Sequence, residues 1–275
     1  MRVALFQSCT GIDPEANAAA IVSAIDQAKA GGADILFTPE MSGLLDRDRT
    51  RAADNLADEA HDRVLAAVRA AATKAGIWVH LGSLALSGER RDGRLVNRGL
   101  LIDDAGTIRA RYDKIHLFDV DLPSGESWRE SAAYAPGGQA VVAGTPWGRM
   151  GLSICYDLRF PDLFRTLSDA GAVILSVPAA FTVPTGRAHW HILLRARAIE
   201  AGAFVIAAAQ AGAHADGRAT YGHSLVIDPW GDVLLDMQGE NGVGFADLDM
   251  KRVADVRSRI PVLAHRRPIA PATLA

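Results

Sequence analysis

Short, nearly continuous apolar runs alternate along this chain with longer amphipathic stretches, and that rhythm predicts strands interleaved with helices. Arg2–Gln7 reads as a buried strand, Pro14–Ala30 as an Ala-rich helix stopped by Gly31-Gly32, and Ala33–Thr38 as a second strand ending at Pro39-Glu40. A long Ala/Arg/Asp stretch from about Asp48 to Lys74 predicts one helix closed by Gly76, followed by strand Ile77–Leu84. Leu95–Ile102 and Thr107–Tyr112 flank a turn, Asp103-Asp-Ala-Gly106, and read as a hairpin.

The second half continues the theme. Ala140–Ala143, Met150–Ile154, Ala172–Val177, Phe204–Ala209, Leu225–Ile227 and Val233–Leu235 read as strands, and Pro161–Ala170 and His189–Ala201 as helices. Asp228-Pro-Trp-Gly231 supplies a turn. Interleaved hairpins argue against a purely parallel sheet, so the pattern predicts an α/β fold with a mixed sheet covered by helices. No Pro/Ser/Gly-rich linker divides residues 1–275, which are expected to form one domain with a C-terminal tail from about Ser258.

Composition narrows the picture. With 49% hydrophobic and 22% charged residues, the chain has ample material for a large core. A net charge of −3, and arginines that are scattered or paired as at Arg90–Arg91 and Arg266–Arg267, argue against a nucleic-acid surface. Two cysteines do not make a disulfide framework. The start lacks a signal-like apolar stretch, and no apolar run approaches the roughly 20 residues of a membrane helix, so a cytoplasmic protein is expected.

Three residues that can do chemistry each follow a strand-like run: Glu40 after Leu36-Phe-Thr-Pro39, Lys114 in Arg111-Tyr-Asp-Lys114, and Cys155 after Met150–Ile154. Strand ends in such folds converge on one pocket. A thiol on a strand-to-helix bend suits a nucleophile, although a free cysteine is more commonly a buried structural residue. A Cys–His hydrolase is a competing scheme, with His116, His189, His191 and His223 available as bases. His189 and His191 lie two apart on a predicted helix and so face different ways, and no zinc-like Cys/His spacing accompanies them. No metal is expected, and without a phosphate-binding glycine motif no nucleotide cofactor is expected either.

Together the segments resemble the nitrilase superfamily of carbon–nitrogen hydrolases, and within it the Nit branch. The resemblance runs through Thr38-Pro-Glu40, Tyr112-Asp-Lys114-Ile-His-Leu-Phe-Asp-Val120, Arg129-Glu-Ser131, Ala135-Pro-Gly-Gly138 and Cys155-Tyr-Asp-Leu-Arg-Phe-Pro161. It continues through Pro178-Ala-Ala-Phe-Thr182, Thr185-Gly-Arg-Ala-His-Trp190, Leu194–Glu200, Gly222-His-Ser224 and Asp228-Pro-Trp-Gly231. It implies an αββα sandwich with Cys155 as nucleophile, Glu40 as general base and acid, Lys114 as oxyanion stabiliser and Glu130 as a second carboxylate, with Glu126 the less favoured candidate for that last role. It also makes His189 and Trp190 helix-start packing residues, His223 a structural or pocket-wall residue, and Cys9 a small core residue. No cofactor is implied.

An unperturbed glutamate and thiol differ by roughly 5.7 kcal/mol for proton transfer, so such a site must close that gap. Lys114 and the turn after Cys155 are expected to lower the thiol pKa, and the backbone N–H of Tyr156 to join Lys114 in meeting the oxyanion. Segments 116–123, 208–212 and 261–268 resemble the deaminated glutathione amidase group, which releases 2-oxoglutarate and Cys-Gly from a carboxylate-bearing amide. Arg159 is then a candidate for the substrate carboxylate, or else a helix-start arginine paired with Asp157 or Asp162. Phe181, Thr182 and Thr185 are candidate pocket residues. Alternatives are an ω-amidase, an N-carbamoyl-amino-acid amidohydrolase, a nitrilase, or a non-catalytic interaction protein of the same fold. The family implies a homodimer or homotetramer.

Overall fold

Strand β1 (Arg2–Gln7) opens the chain, and Asp13 then caps helix α1 (Pro14–Ala30) by accepting the N–H groups of Glu15 and Ala16. Strand β2 (Ile35–Phe37) follows. The single helix expected from 48 to 74 is two, α2 (Arg49–Ala53) and α3 (Arg63–Ala75). The reason is local: Asp48 and Asp62 each accept backbone N–H groups from the turn that follows, so a new helix starts at each. Gly76, left-handed at φ 60°, ends α3. The first half closes with β3 (Trp78–Leu86), β4 (Val96–Ile102) and β5 (Ile108–Asp113).

A small hairpin, β6 (Asp119–Asp121) and β7 (Ser127–Arg129), precedes β8 (Val141–Thr145) and β9 (Gly148–Leu152). Then come α4 (Pro161–Asp169), β10 (Ile174–Ser176), α5 (Val183–Ala201) and β11 (Phe204–Ala207). A second small hairpin pairs β12 (Ala211–Ala213) with β13 (Ala219–Tyr221), and β14 (Leu225–Ile227) and β15 (Val233–Asp236) follow. The chain returns as β16 (Gly242–Asp247) and ends in α6 (Lys251–Arg259). This computed structural model describes residues 1–88, 92–122 and 125–274; the Arg90–Arg91 pair and Pro123 lie outside them.

Two six-stranded mixed sheets result, in the orders β16-β1-β2-β3-β4-β5 and β15-β14-β11-β10-β9-β8. They stack face to face, with α1 and α3 outside the first and α4 and α5 outside the second, which is the αββα sandwich. Alternation within β1 shows how both faces are used. Val3 and Leu5 join the core shared with Met150, Leu152 and Ile174 of the second sheet, whereas Ala4 packs with Ile21, Ile25 and Val68 under the helices. Strands buried on both faces must be apolar throughout, which is why they read as continuous runs.

The C-terminus differs from expectation. β16 pairs antiparallel with β1, Val3 opposite Ala246, and covers what would be an open sheet edge. Its Gly-Val-Gly-Phe-Ala-Asp sequence is too poor in β-branched residues to announce a strand. α6 buries Val253 and Val256, donates from Arg257 to the carbonyls of Ala172, Ala201 and Gly202, and ends at Arg259, after which residues 260–274 form no helix or strand, close to the expected start of the tail at Ser258. Among the described residues no helix is long and apolar enough to cross a membrane.

Candidate active site

Glu40, Lys114 and Cys155 lie just beyond β2, β5 and β9, and the stacking of the two sheets brings all three to one cavity of about 750 Å³. Each is buried, Glu40 at 4%, Lys114 at 2% and Cys155 at 7% relative exposure. Close approach of the Glu40 loop depends on Gly82: a Cβ there would stand 2.1 Å from the Thr38 carbonyl oxygen and 2.6 Å from Pro178 Cβ.

Lys114 is held between two carboxylates. Its Nζ lies 2.8 Å from Glu40 Oε1 and 2.9 Å from Glu130 Oε2. Asn97 Nδ2, from β4, donates to Glu40 Oε1 at 2.9 Å and to Glu130 Oε1 at 3.2 Å. The backbone N–H of Ala180 donates to Glu40 Oε2 at 3.0 Å, and that of Phe118 to Glu130 Oε2 at 2.7 Å. Burial works against the Lys114 charge, but the Glu130 and Glu40 carboxylates outweigh it and hold the ammonium well above the usual lysine range. Glu126 also lines the cavity but is exposed, and it is Glu130 that meets the lysine.

Cys155 has left-handed backbone at φ 51°, a strained state for a residue with a side chain. Its own N–H donates to the Pro178 carbonyl at 2.9 Å, and a 3-10 turn over Cys155–Arg159 begins there. Asp157, fully buried, fixes this elbow by accepting from the Ile154 N–H at 2.9 Å, the Tyr112 hydroxyl at 2.7 Å and the His116 N–H at 3.0 Å. Burial first, then the Glu40 carboxylate, pushes the Cys155 thiol well above the ordinary cysteine range; Lys114 pulls the other way without prevailing. The expected net lowering of this pKa is therefore corrected: in the resting site the thiol keeps its proton.

Tyr156, Phe181, Thr182 and Thr185 line the cavity as anticipated, with the two threonine hydroxyls 2.8 Å apart. Arg159 does not. Its guanidinium stands over the rings of Tyr156 and Phe181, 5.8 and 5.5 Å from their centroids, with Nη1 3.3 Å from His189 Nδ1, and it pairs with neither Asp157 nor Asp162. The histidines of the competing scheme are elsewhere. His116 Nδ1 faces Asp157 at 2.7 Å with its ring stacked on Phe160, and His223 Nδ1 faces Asp236 at 2.9 Å; neither lines the cavity.

Other expectations need correction. His189 and Trp190 are not at a helix start, because α5 begins at Val183, where the Thr182-Val-Pro turn initiates it. Trp190 is buried against Phe181 and donates to the His223 carbonyl at 2.8 Å. Cys9 is exposed rather than in the core, since it follows the end of β1, with Sγ 3.6 Å from His214 Nδ1. Two contributors were missed. Asp157 was visible only as a helix-start carboxylate, and Asn97 sits inside a strand run with no local signal at all.

The mouth of the cavity carries arginines from separate loops. Arg218 pairs with Asp216, Arg129 with Asp121 and Arg94 with Asp92, whereas the Arg47 guanidinium donates to the backbone carbonyl of Asp216 at 2.7 Å. Arg49 donates to the Ala132 carbonyl at 3.1 Å and has no carboxylate partner among the described residues. The arrangement combines a protonated thiol, an adjacent carboxylate, a fixed ammonium and a roomy cationic mouth, as acyl transfer through a thioester requires.

Comparison with known proteins agrees. Residues 2–258 match the carbon-nitrogen hydrolase family model. A deaminated glutathione amidase of Yersinia enterocolitica is 41% identical over 271 residues, 96% of this chain and 92% of that protein. The crystal structure of the Caenorhabditis elegans NitFhit protein superposes with a TM-score of 0.89 at 38% identity, covering 97% of this chain and 65% of that one. An amidase of Nesterenkonia sp. AN1, a glutamate-to-glutamine mutant with acrylamide added at its active-site cysteine, gives a TM-score of 0.77 at 29% identity over 95% of this chain and 98% of that one.

Proposed function

The chain belongs to the carbon–nitrogen hydrolase family and is an amidohydrolase, and from that premise we propose that it cleaves a small carboxylate-bearing amide through a Cys155 thioester, with deaminated glutathione as the substrate. The observation that carries the chemistry is Lys114 fixed between Glu40 and Glu130 in the cavity that Cys155 also lines.

The cycle follows from the charges. Glu40 takes the thiol proton as sulfur attacks the amide carbonyl. Neutralising Glu40 removes half of the anionic field on Lys114, whose ammonium then turns to the developing oxyanion. The Tyr156 N–H is the second donor. Glu40 next delivers its proton to the departing amine, leaving the thioester. Water activated by Glu40, and oriented by Glu130, releases the acid. No step calls on a metal or organic cofactor.

Both ends of the substrate find partners. The keto-acid end lies against Phe181, Thr182 and Thr185, with Arg159 the cation behind those rings. The leaving dipeptide carries its carboxylate to Arg49 at the mouth. A cavity of about 750 Å³ is ample for a substrate of this size. The test is 2-oxoglutarate release from deaminated glutathione against a panel of ω-amide, carbamoyl and nitrile substrates. Fastest turnover on deaminated glutathione supports the reading; preference for another class overturns the substrate while leaving the chemistry standing.

We also propose a cytoplasmic homodimer or homotetramer. Exposed Ile192 and Ile199 lie on α5, and Ile199 packs against Gly231 in the β14–β15 turn beside exposed Trp230, apolar surface suited to a second copy. Light scattering on the purified chain would report the mass of the assembly.

A further inference from the structure

Away from the cavity, three elements bring together side chains that the amide chemistry does not use. His191 comes from α5, His223 from the segment before β14, and Asp236 from the end of β15. His191 Nε2 lies 3.0 Å from Asp236 Oδ2, and His223 Nδ1 lies 2.9 Å from Asp236 Oδ1. One donor atom from each residue falls within 4.8 Å of the others, and none of the three lines the cavity.

We propose that His191, His223 and Asp236 form a binding site for one divalent transition-metal ion of the zinc type. Two imidazole nitrogens and one carboxylate suit zinc, cobalt or nickel, whereas calcium and magnesium prefer all-oxygen sets. Metal–ligand bonds of about 2.0–2.2 Å place neighbouring donors about 3 Å apart, the spacing seen on both sides of Asp236. The two imidazole rings stand 5.0 Å apart, centroid to centroid, on either side of the carboxylate. The half-buried donors leave room for water to complete the shell.

The site is held in place before any ion arrives. His223 sits in left-handed backbone at φ 55°, its N–H donating to the Gln238 carbonyl at 2.6 Å and its carbonyl accepting from Trp190 Nε1 at 2.8 Å. Tyr221 stacks on its ring at 4.4 Å, and the Gln238 N–H donates to Asp236 Oδ1 at 2.8 Å. Such outer contacts fix ring orientation in the way that metal sites use. A bound ion would tie α5 to the β14–β15 hairpin, and the N-terminal turn of α5 carries the Thr182 and Thr185 of the cavity wall. The consequence is stiffening of that helix, not participation in amide cleavage.

The sequence hid this site. Positions 191, 223 and 236 have no metal-motif spacing, and His189, the neighbour that made His191 look like half of a pair, faces Arg159 instead.

The experiment is titration of the metal-stripped protein with cobalt(II), followed by visible absorption, together with zinc(II) calorimetry and thermal melts. The expected result is one ion per chain, a cobalt spectrum lacking thiolate charge transfer, and a melting temperature that rises with free zinc. His191→Ala and Asp236→Asn should each weaken binding at least about a hundredfold, the loss of a ligand rather than of a neighbour, while circular dichroism shows them folded. Cys9→Ser should bind as the parent does. Absence of uptake, undiminished binding in the His191 and Asp236 variants, or loss of binding in Cys9→Ser would each overturn the proposal and leave a hydrogen-bonded His–Asp–His clamp.

Discussion

The floor of the cavity and its mouth are built on opposite principles. At the floor every charge has a fixed partner: Lys114 meets two carboxylates, and Asn97, Ala180 and Phe118 take up further carboxylate lone pairs. At the mouth, loops present arginines of which Arg94, Arg129 and Arg218 pair with aspartates, while among the described residues the guanidinium groups of Arg47 and Arg49 meet backbone carbonyls. A buried network of this kind tolerates almost no change, because removing one member strands another charge out of water. An exposed arginine can be exchanged at little cost to the fold. Under the proposed function the floor sets the reaction and the mouth sets the substrate.

Changes at the floor should have the largest effects. Lys114→Met leaves two buried carboxylates facing each other, so about 3–5 kcal/mol of stability should be lost and the amidase with it. Glu40→Gln keeps the shape but not the base. It should fold, with kcat reduced at least about a hundredfold to a thousandfold, while KM changes little. If Glu40→Gln kept near-normal turnover, the contrast between floor and mouth would break.

Asn97→Leu sharpens the comparison from inside the floor. It deletes two charge-assisted hydrogen bonds without touching substrate, so kcat should fall roughly tenfold to a hundredfold through misplacement of the carboxylates. An isosteric Asn97→Asp, which adds a third carboxylate, should be worse. Stopped-flow or steady-state kinetics on folded variants would check both.

At the mouth, Arg49→Leu should raise KM roughly tenfold for an amide whose leaving group carries a carboxylate, and leave KM for a simple ω-amide unchanged. Equal KM increases for both substrates would remove Arg49 from leaving-group recognition. Arg159→Leu should raise KM less, and for both alike, because Arg159 stacks behind Phe181 instead of meeting the keto-acid end directly.

The last effect concerns stability alone. Burial pushes His80 down to about 3, so the unfolded chain binds this proton below about 6.5 while the folded chain does not. Stability should then rise with pH between these limits and be fully present above the unfolded value. His80→Gln should flatten the wild-type decline in melting temperature between pH 6.5 and pH 4, which calorimetric scans would resolve.

Much of this was legible in the residues themselves. Strand runs buried on both faces announced a mixed sheet under helices, only the family resemblance implied that it is doubled into two, and Glu40, Lys114 and Cys155 stood where strands end. What escaped notice has physical reasons. The break between α2 and α3 depends on Asp62 capping, which competes with a strongly helical composition on either side. β16 becomes a strand only because β1 offers it an edge. Asn97 and Asp157 act through long-range partners, 57 and 45 residues away at Glu40 and Tyr112, and no local pattern marks such groups. The direction of the Cys155 shift turned on depth of burial and on a neighbouring carboxylate, which spacing along a sequence does not report.

The most direct test of the account is to mix the unmodified enzyme with excess deaminated glutathione, quench in acid during turnover and measure the intact and peptide masses. The account predicts a 2-oxoglutaryl adduct on the peptide containing Cys155, absent from Cys155→Ala and from Glu40→Gln, which has lost the base and acid for acylation. No adduct at Cys155 in an enzyme that still turns over, or an adduct on another residue, would contradict the thioester route.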